Sequence, residues 1–264
     1  MQLQAEINLQ QGNLSQALTE LQNQIRKDPS NSRLRVFLFQ LLAVTGQWER
    51  SLTQLKVVGE LDALALLMVK TYQAAIVCEA FRSDVFAGKR SPLVFGEPPV
   101  WLAQLLEALR LDAETHYIQA KDMREQALEL APATGGIIDG QRFEWLADAD
   151  NRLGPILEAI VKGQYYWIPL QNIQKVEIEK PVDLRDAVWT PVQFTWINGG
   201  QASGLIPTRY PGSESSADNL IQLARKTDWL EYADGLYLGQ GQRLLATNVD
   251  DYPLMDIREI SFDN

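Results

Sequence analysis

Two stretches of this chain can be laid over each other at an offset of 34 residues: "GNLSQALTELQNQI", starting at Gly12, and "GQWERSLTQLKVVG", starting at Gly46. Gly12 falls on Gly46, Leu14 on Trp48, Ala17 on Ser51 and Leu21 on Leu55. No other feature constrains the fold as much. A repeat of this length is one helical hairpin that cannot bury its apolar face alone, so it must stack on neighbours.

The order glycine, then a large apolar residue, then a small one, at this period, is a tetratricopeptide-like signature. "DPSN" at 28–31 places Pro29 where such units turn between helices. Small residues let paired helices approach, and large ones fill the space between them. Two units are too few for a stable stack, so further helices are required. The chain offers three: residues 61–81, "VWLAQLLEALRLD" from Val100, and "AETHYIQAKDMREQALELAP" from Ala113, closed by Pro132. Gly, Pro and Ser between Val85 and Pro99 read as a long loop. The expectation is an all-helical, tetratricopeptide-like domain over residues 1–134.

Past "ATGGIIDG" at 133–140 the pattern changes. Five of the seven tryptophans and −8 of the net charge of −10 lie in the remainder. One helix is expected over about 142–162, punctuated by Gly154 and Pro155. Then "QYYWIPL", "IQKVEIE", "PVQFTWI", "GLIPTRY" and "QRLLATN" read as short strands rich in β-branched and aromatic residues. "INGGQ" is a hairpin signal. "SSADNLIQLARKTDWL" reads as another helix with a serine N-cap. "GLYLGQGQR" reads as a turn, and "MDIREISF" as a strand with a bulge near Glu259. The predicted fold class is α+β, with a smaller mixed domain of mostly antiparallel strands over 135–264.

The chemistry is sparse. An acidic chain is a poor partner for nucleic acid or anionic lipid. One cysteine, Cys78, excludes an internal disulfide and a CxxC zinc site. The first residues show neither a basic start nor an apolar core, so no signal peptide is expected, and the longest apolar runs are broken by Asp62, Lys70 and Gln73. "WLADADNRLGP" at 145–155 resembles the opening of a calcium loop, but an EF-hand frame from Asp148 puts Arg152 among the ligands and Ala159 at position 12. The lone histidine, His116, falls inside the expected third helix, and Cys78 in an apolar helix. A packed thiol and a satisfied histidine are the simpler reading of that pair. No nucleophile elbow, phosphate loop or dinucleotide fingerprint occurs. Asp139, Glu144, Asp148 and Asp150 could be paired carboxylates of a hydrolase. A solvated acidic face, or buried partners for arginines, is the plainer alternative. No cofactor or metal is expected.

"FEWLADADNRLGPILEAIVKGQYYWIP", "LRDAVWTPVQF", "IPTRYPGS", "LARKTDWL", "GQR" and "DIREISF", in that order, resemble the ImpE (TagJ) family of type VI secretion accessory proteins. The resemblance extends over nearly the whole chain. It implies a non-enzymatic, cytoplasmic adaptor that binds the small contractile-sheath subunit, TssB, through a short segment, and so links the sheath to the ATPase ClpV that dismantles it. A helical-repeat surface suits a peptide or amphipathic helix.

Two roles are expected for the family-signature residues. Asp148, Asp150 and Arg152 would form an arginine–carboxylate lock holding a helix against the strands. Trp145, Tyr166, Trp167, Arg209 and Tyr210 would form an exposed patch for the sheath segment, with core packing the competing reading for the tryptophans. Competing functions are a general peptide-binding scaffold within the same apparatus and a carboxylate-based hydrolase.

Overall fold

A computed structural model describes residues 4–233 and 236–263. The first helices run α1 (Gln4–Gln10), α2 (Leu14–Lys27), α3 (Ser32–Val44), α4 (Trp48–Leu61) and α5 (Leu66–Phe86). A two-residue strand β1 (Leu93–Val94) precedes α6 (Val100–Ala113) and α7 (Tyr117–Leu130). The strands that follow are β2 (Gly136–Ile138), β3 (Gln141–Phe143), β4 (Leu146–Asp148), β5 (Ile156–Val161), β6 (Gln164–Pro169), β7 (Ile173–Ile178), β8 (Trp189–Trp196) and β9 (Gln201–Pro207). The one-turn helix α8 (Asn219–Gln222) leads to β10 (Thr227–Ala233), β11 (Leu236–Gly241), β12 (Leu244–Thr247), β13 (Asp251–Pro253) and β14 (Glu259–Phe262). The fold class is α+β, as the sequence predicts.

The two matched glycines make the same turn. Gly12 has φ +78° and Gly46 φ +66°. The Gly12 N–H donates to the Leu9 carbonyl at 3.0 Å and Asn13 N–H to Asn8 at 2.8 Å; Gly46 N–H donates to Ala43 at 3.1 Å and Gln47 N–H to Leu42 at 2.8 Å. This is the Schellman arrangement, which needs a left-handed residue at its corner. A third copy sits between α6 and α7. Thr115 occupies the corner at φ +65°, its N–H donating to Asp112 at 3.0 Å, while His116 N–H donates to Leu111 at 2.9 Å. Each turn opens a 14-residue helix. Ala17, Ser51 and Ala120, five residues past each corner, are all fully buried. Where the first two units place Leu21 and Leu55, the third places Arg124, ion-paired to Asp112, whose own counterparts are Leu9 and Ala43.

Strands form a nine-stranded sheet in the order β1-β6-β5-β9-β8-β7-β14-β2-β3, antiparallel except for the parallel β1–β6 pair. A three-stranded sheet (β13-β12-β4) and the β10–β11 ribbon complete the strands. The helices lie on one face of the large sheet. Ile156 and Ile160 of β5, Tyr165 and Trp167 of β6, and Trp189 of β8 share one core with the helices. Leu157, Ala159, Val161, Phe194 and Ile260 belong to a second core on the other face. Trp189 joins the halves, with its ring 5.7 Å from Tyr72 of α5 and 6.1 Å from Trp48 of α4.

Five expectations need correction. Residues 142–162 are strand, turn and strand, not helix. β5 is buried on both faces, so it lacks the alternation that marks a strand, and "ILEAIV" is compatible with a helix by periodicity alone. The helix expected from the 215–230 stretch is a single turn, α8, capped by Asp218 and not by serine; β10 follows. "LYLGQG" is strand β11, paired along β10. β14 pairs with β7 and β2 with no register shift, so there is no bulge at Glu259. The 85–99 segment is also not all loop: β1 joins the sheet, and Phe95 stacks on Trp196 at 4.2 Å. "INGGQ" closes the β8–β9 hairpin, with Gly199 at φ +78°.

Candidate functional site

The densest polar chemistry lies between α5 and the sheet, where β5 parts from β9. These two strands pair only at Ile160–Leu205 and Val161–Gly204. Below that point Pro207 offers no backbone donor, and charged side chains occupy the split. Glu158, fully buried on β5, accepts Arg82 Nε at 2.6 Å and Nη2 at 3.0 Å from α5. It also accepts Arg243 Nη2 and the Tyr165 hydroxyl, and Tyr165 in turn accepts Trp167 Nε1 at 2.8 Å. Burial pushes the Glu158 carboxyl up, but Arg82 and Arg243 outweigh it and hold the group at about 2.

Arg243 bridges from Glu158 to Asp148, both partners fully shielded. Asp148 has less support. Burial pushes its carboxyl up to about 6, with Arg243 opposing and Asp150 adding to the rise. Asp150 organises the turn after β4. Its Oδ1 accepts the Arg152 N–H at 3.0 Å and Arg152 Nε at 2.8 Å, while Oδ2 accepts Arg152 Nη2 and the Gly239 N–H of β11 at 3.1 Å. The Arg152 guanidinium lies 4.9 Å from the Phe86 ring centre at the end of α5. Gly154 closes the turn at φ +57°, where a Cβ would stand 2.5 Å from Leu128 of α7. Removing one partner from a buried ion pair costs about 3–5 kcal/mol, because the other charge is left in low dielectric.

Asp150 and Arg152 therefore pair with each other, and Asp148 pairs with Arg243. The element they sit in is a strand and turn, so the helix expected in the lock is absent. The residues the sequence reading missed are Arg82, Glu158 and Tyr165. Glu158 interrupts an apolar run, which was a usable signal, but Arg82 is 76 residues away in the chain and only the fold joins them.

The five expected patch residues do not share one exposed surface. Trp167, Arg209 and Tyr210 are buried, Tyr166 is half-buried, and Trp145 is 39% exposed. Arg209 donates Nη1 to the Val44 carbonyl at 2.8 Å and to the Gln222 carbonyl, tying the end of α3 to α8. Burial lowers its pKa to about 10, with Glu214 and Glu79 opposing. Tyr210 packs where a Cβ on Gly239 would come within 2.4 Å, and its hydroxyl accepts the Leu244 N–H at 3.0 Å.

The other candidates separate as well. Cys78 is buried with Sγ 3.4 Å from the Gly163 carbonyl, and burial pushes its thiol up to about 11. His116 caps α7 on the surface, 3.7 Å from Glu114, and is not inside the helix. Asp139 accepts the Arg258 and Glu259 N–H groups at the start of β14, and Glu144 is exposed. Among the described residues no group of three or more His, Cys, Asp or Glu could hold a metal ion.

Comparison with known proteins gives this architecture relatives. The profile described as ImpE protein matches residues 140–261, which run from β3 into β14 and include the Asp148–Arg243–Glu158 chain. The chain is 51% identical over 259 residues to the type VI secretion system accessory component TagJ of Pseudomonas aeruginosa, covering 98% of this chain and 91% of that protein. The crystal structure of protein VPA1032 from Vibrio parahaemolyticus superposes with a TM-score of 0.89 at 27% identity, over 99% of this chain and 98% of that one. With half its residues shared with TagJ over nearly the full length of both, and the profile match across its second half, the chain belongs to the ImpE family.

Proposed function

We propose that this protein is a non-enzymatic accessory component of a type VI secretion apparatus, acting in the cytoplasm. It binds the small contractile-sheath subunit, TssB, through a short segment of that subunit and links the sheath to ClpV-driven disassembly. The observation that carries the first part is the 51% identity to TagJ over nearly the whole chain. Support for a binding role comes from the use of the buried acids: Asp148, Asp150 and Glu158 are each engaged by an arginine, an arrangement suited to holding strands in place. The stacked hairpins support a tetratricopeptide-like scaffold with surfaces for a helix or extended peptide.

A calorimetric titration with purified small sheath subunit, then with peptides from its two ends, tests the reading. Saturable one-to-one binding to one terminal peptide is the expected result. No binding to the whole subunit would overturn the adaptor role and favour a scaffold for another secretion component.

A further inference from the structure

Gln40 breaks the apolar run "VFLFQLLAV" of α3, much as Glu158 breaks "ILEAIV" of β5. Both side chains are buried: Gln40 is 5% exposed and Glu158 not at all. Glu158 is surrounded by donors. Gln40 has no partner, because its amide makes no hydrogen bond with any described residue. This sets it apart. Every other buried Ser, Thr, Asp, Glu or Arg side chain among the described residues is hydrogen-bonded, down to Ser51 on the Phe39 carbonyl, Thr134 on Pro132 and Thr247 on Asp250. A buried amide left without partners costs free energy, so an isolated case calls for a use.

The Gln40 amide is not sealed in, as the side-chain oxygens of Gln24 and Gln104 are. Gln40 lines a groove of about 540 Å³ that lies between α1, α3 and the 182–184 segment. The two helices are the leading helices of the two repeat units. Apolar side chains line the groove with the amide: Leu9 is buried, and Val36, Phe37 and Leu184 are half-buried. Val182 lines it as well and is 85% exposed. The walls are fixed by the fold itself. Arg225 donates Nη1 to the Leu9 and Gln10 carbonyls at 3.0 and 3.2 Å, closing the end of α1. The Val182 and Asp183 N–H groups both donate to Asp186 Oδ2 at 2.8 Å, and Asp183 pairs with Arg185.

We infer that this groove binds an extended, uncharged peptide segment of a partner protein, with the Gln40 amide bonding the main chain and Val36, Phe37 and Leu184 taking a neighbouring apolar side chain. Hydrogen bonding selects this occupant. A carboxamide carries donors and an acceptor together. In an extended chain the N–H and C=O of one residue point to the same side, so Gln40 can meet both. A helix has committed those groups to its own i→i−4 bonds. A purely apolar ligand would leave the amide as unpaired as before. A phosphate or a metal ion finds no net charge, since Arg33 and Arg225 are offset by Glu6 and Asp183 in the same lining. Main-chain bonds supply affinity and the side-chain pocket supplies selectivity, as in other extended-peptide sites. The site is separate from the adaptor reading: a sheath subunit that docks elsewhere leaves it intact.

The probe is a phage-displayed library of random peptides of about twelve residues, long enough to cross the groove when extended. It is selected on the full-length wild type and counter-selected on Gln40→Leu, which keeps the bulk and removes the amide. Enriched peptides, titrated by calorimetry, should bind Gln40→Leu at least roughly tenfold more weakly. Val182→Asp changes an exposed position and should weaken binding roughly threefold. Ile118→Glu, on the exposed face of α7, should bind as the wild type does. Methylating the backbone nitrogen of the one peptide residue that meets Gln40 should abolish binding, while its immediate neighbours, whose N–H groups point away, tolerate the methyl. Gln40→Leu should melt no lower than the wild type, because nothing in the fold satisfied the amide it loses. A library that yields no peptide preferring the wild type overturns the assignment. So does a gain of helical circular dichroism by the bound peptide. A Gln40→Leu protein that melts several degrees lower overturns it too, by placing the partner of the amide inside the fold. A wild-type dimer that Gln40→Leu converts to monomer would give the groove to a second copy and overturn it as well.

Discussion

Asp148 and Glu158 share Arg243, yet their surroundings drive them in opposite directions. Glu158 has two arginines and a tyrosine hydroxyl, and its carboxyl is held at about 2. A depressed carboxyl supports folding above its ordinary range and loses that support as pH falls toward 2. Asp148 is pushed by burial from 3.8 to about 6. The sign is then reversed: its contribution is fully present below 3.8 and is lost as pH rises through about 6. Glu79 and Asp112 are also raised by burial, so the total pH dependence is a sum. The difference between wild type and Asp148→Asn isolates one member. In urea unfolding at several pH values, wild type should lose roughly 1–3 kcal/mol relative to the variant between pH ~4 and ~6.5. Parallel stability curves for the two proteins would show that Asp148 is not raised.

Among the elements, the three hairpins differ at their corners. Glycine takes the left-handed conformation freely; threonine is β-branched and takes it at a cost of order 1–3 kcal/mol. Thr115 is exposed and its side chain closes no space that glycine would open. Thr115→Gly should stabilise the protein by about 1 kcal/mol and raise Tm by about 2–4 °C. An unchanged or lower Tm would mean that the third corner is not strained as the first two would be with threonine. The same position explains why the sequence reveals two units and hides the third. The first two units are legible from glycine at the corner and leucine nine residues later. The third unit substitutes Thr115 and Arg124, and Asp112 answers the arginine from the facing helix. An apolar contact has become an ion pair, preserving the packing while erasing the pattern.

Across the whole molecule, the boundary expected near residue 134 separates helices from strands with β1 and the one-turn α8 as the exceptions, but no gap in the core marks it. The core that holds α2 to α7 also holds Ile156, Ile160, Trp167 and Trp189. The Arg82–Glu158 pair, Arg209 to Val44, Arg225 to Leu9 and Asn219 to Gly12 cross the same divide. Groups that share one core lose it together. Guanidinium unfolding followed by far-ultraviolet circular dichroism and by tryptophan fluorescence should give coincident single transitions. Two separated transitions would make the halves independent domains.

What the chain determines by itself is local. The helical hairpins of the first two units, the β6, β7 and β8 strands and the β8–β9 turn follow from periodicity and from glycine at a left-handed corner, both carried by residues close in sequence. The family resemblance is legible for the same reason, since it lies in short ordered motifs. The tertiary structure decides the rest. β5 becomes a strand because helices cover one face and a second core the other. Arg209 and Tyr210 go inward because α3, α8 and β11 close over them, and Glu158 tolerates burial because Arg82 and Arg243 arrive from 76 and 85 residues away. A charged side chain carries no mark of the partner it will meet; only the packed fold brings that partner within hydrogen-bonding distance.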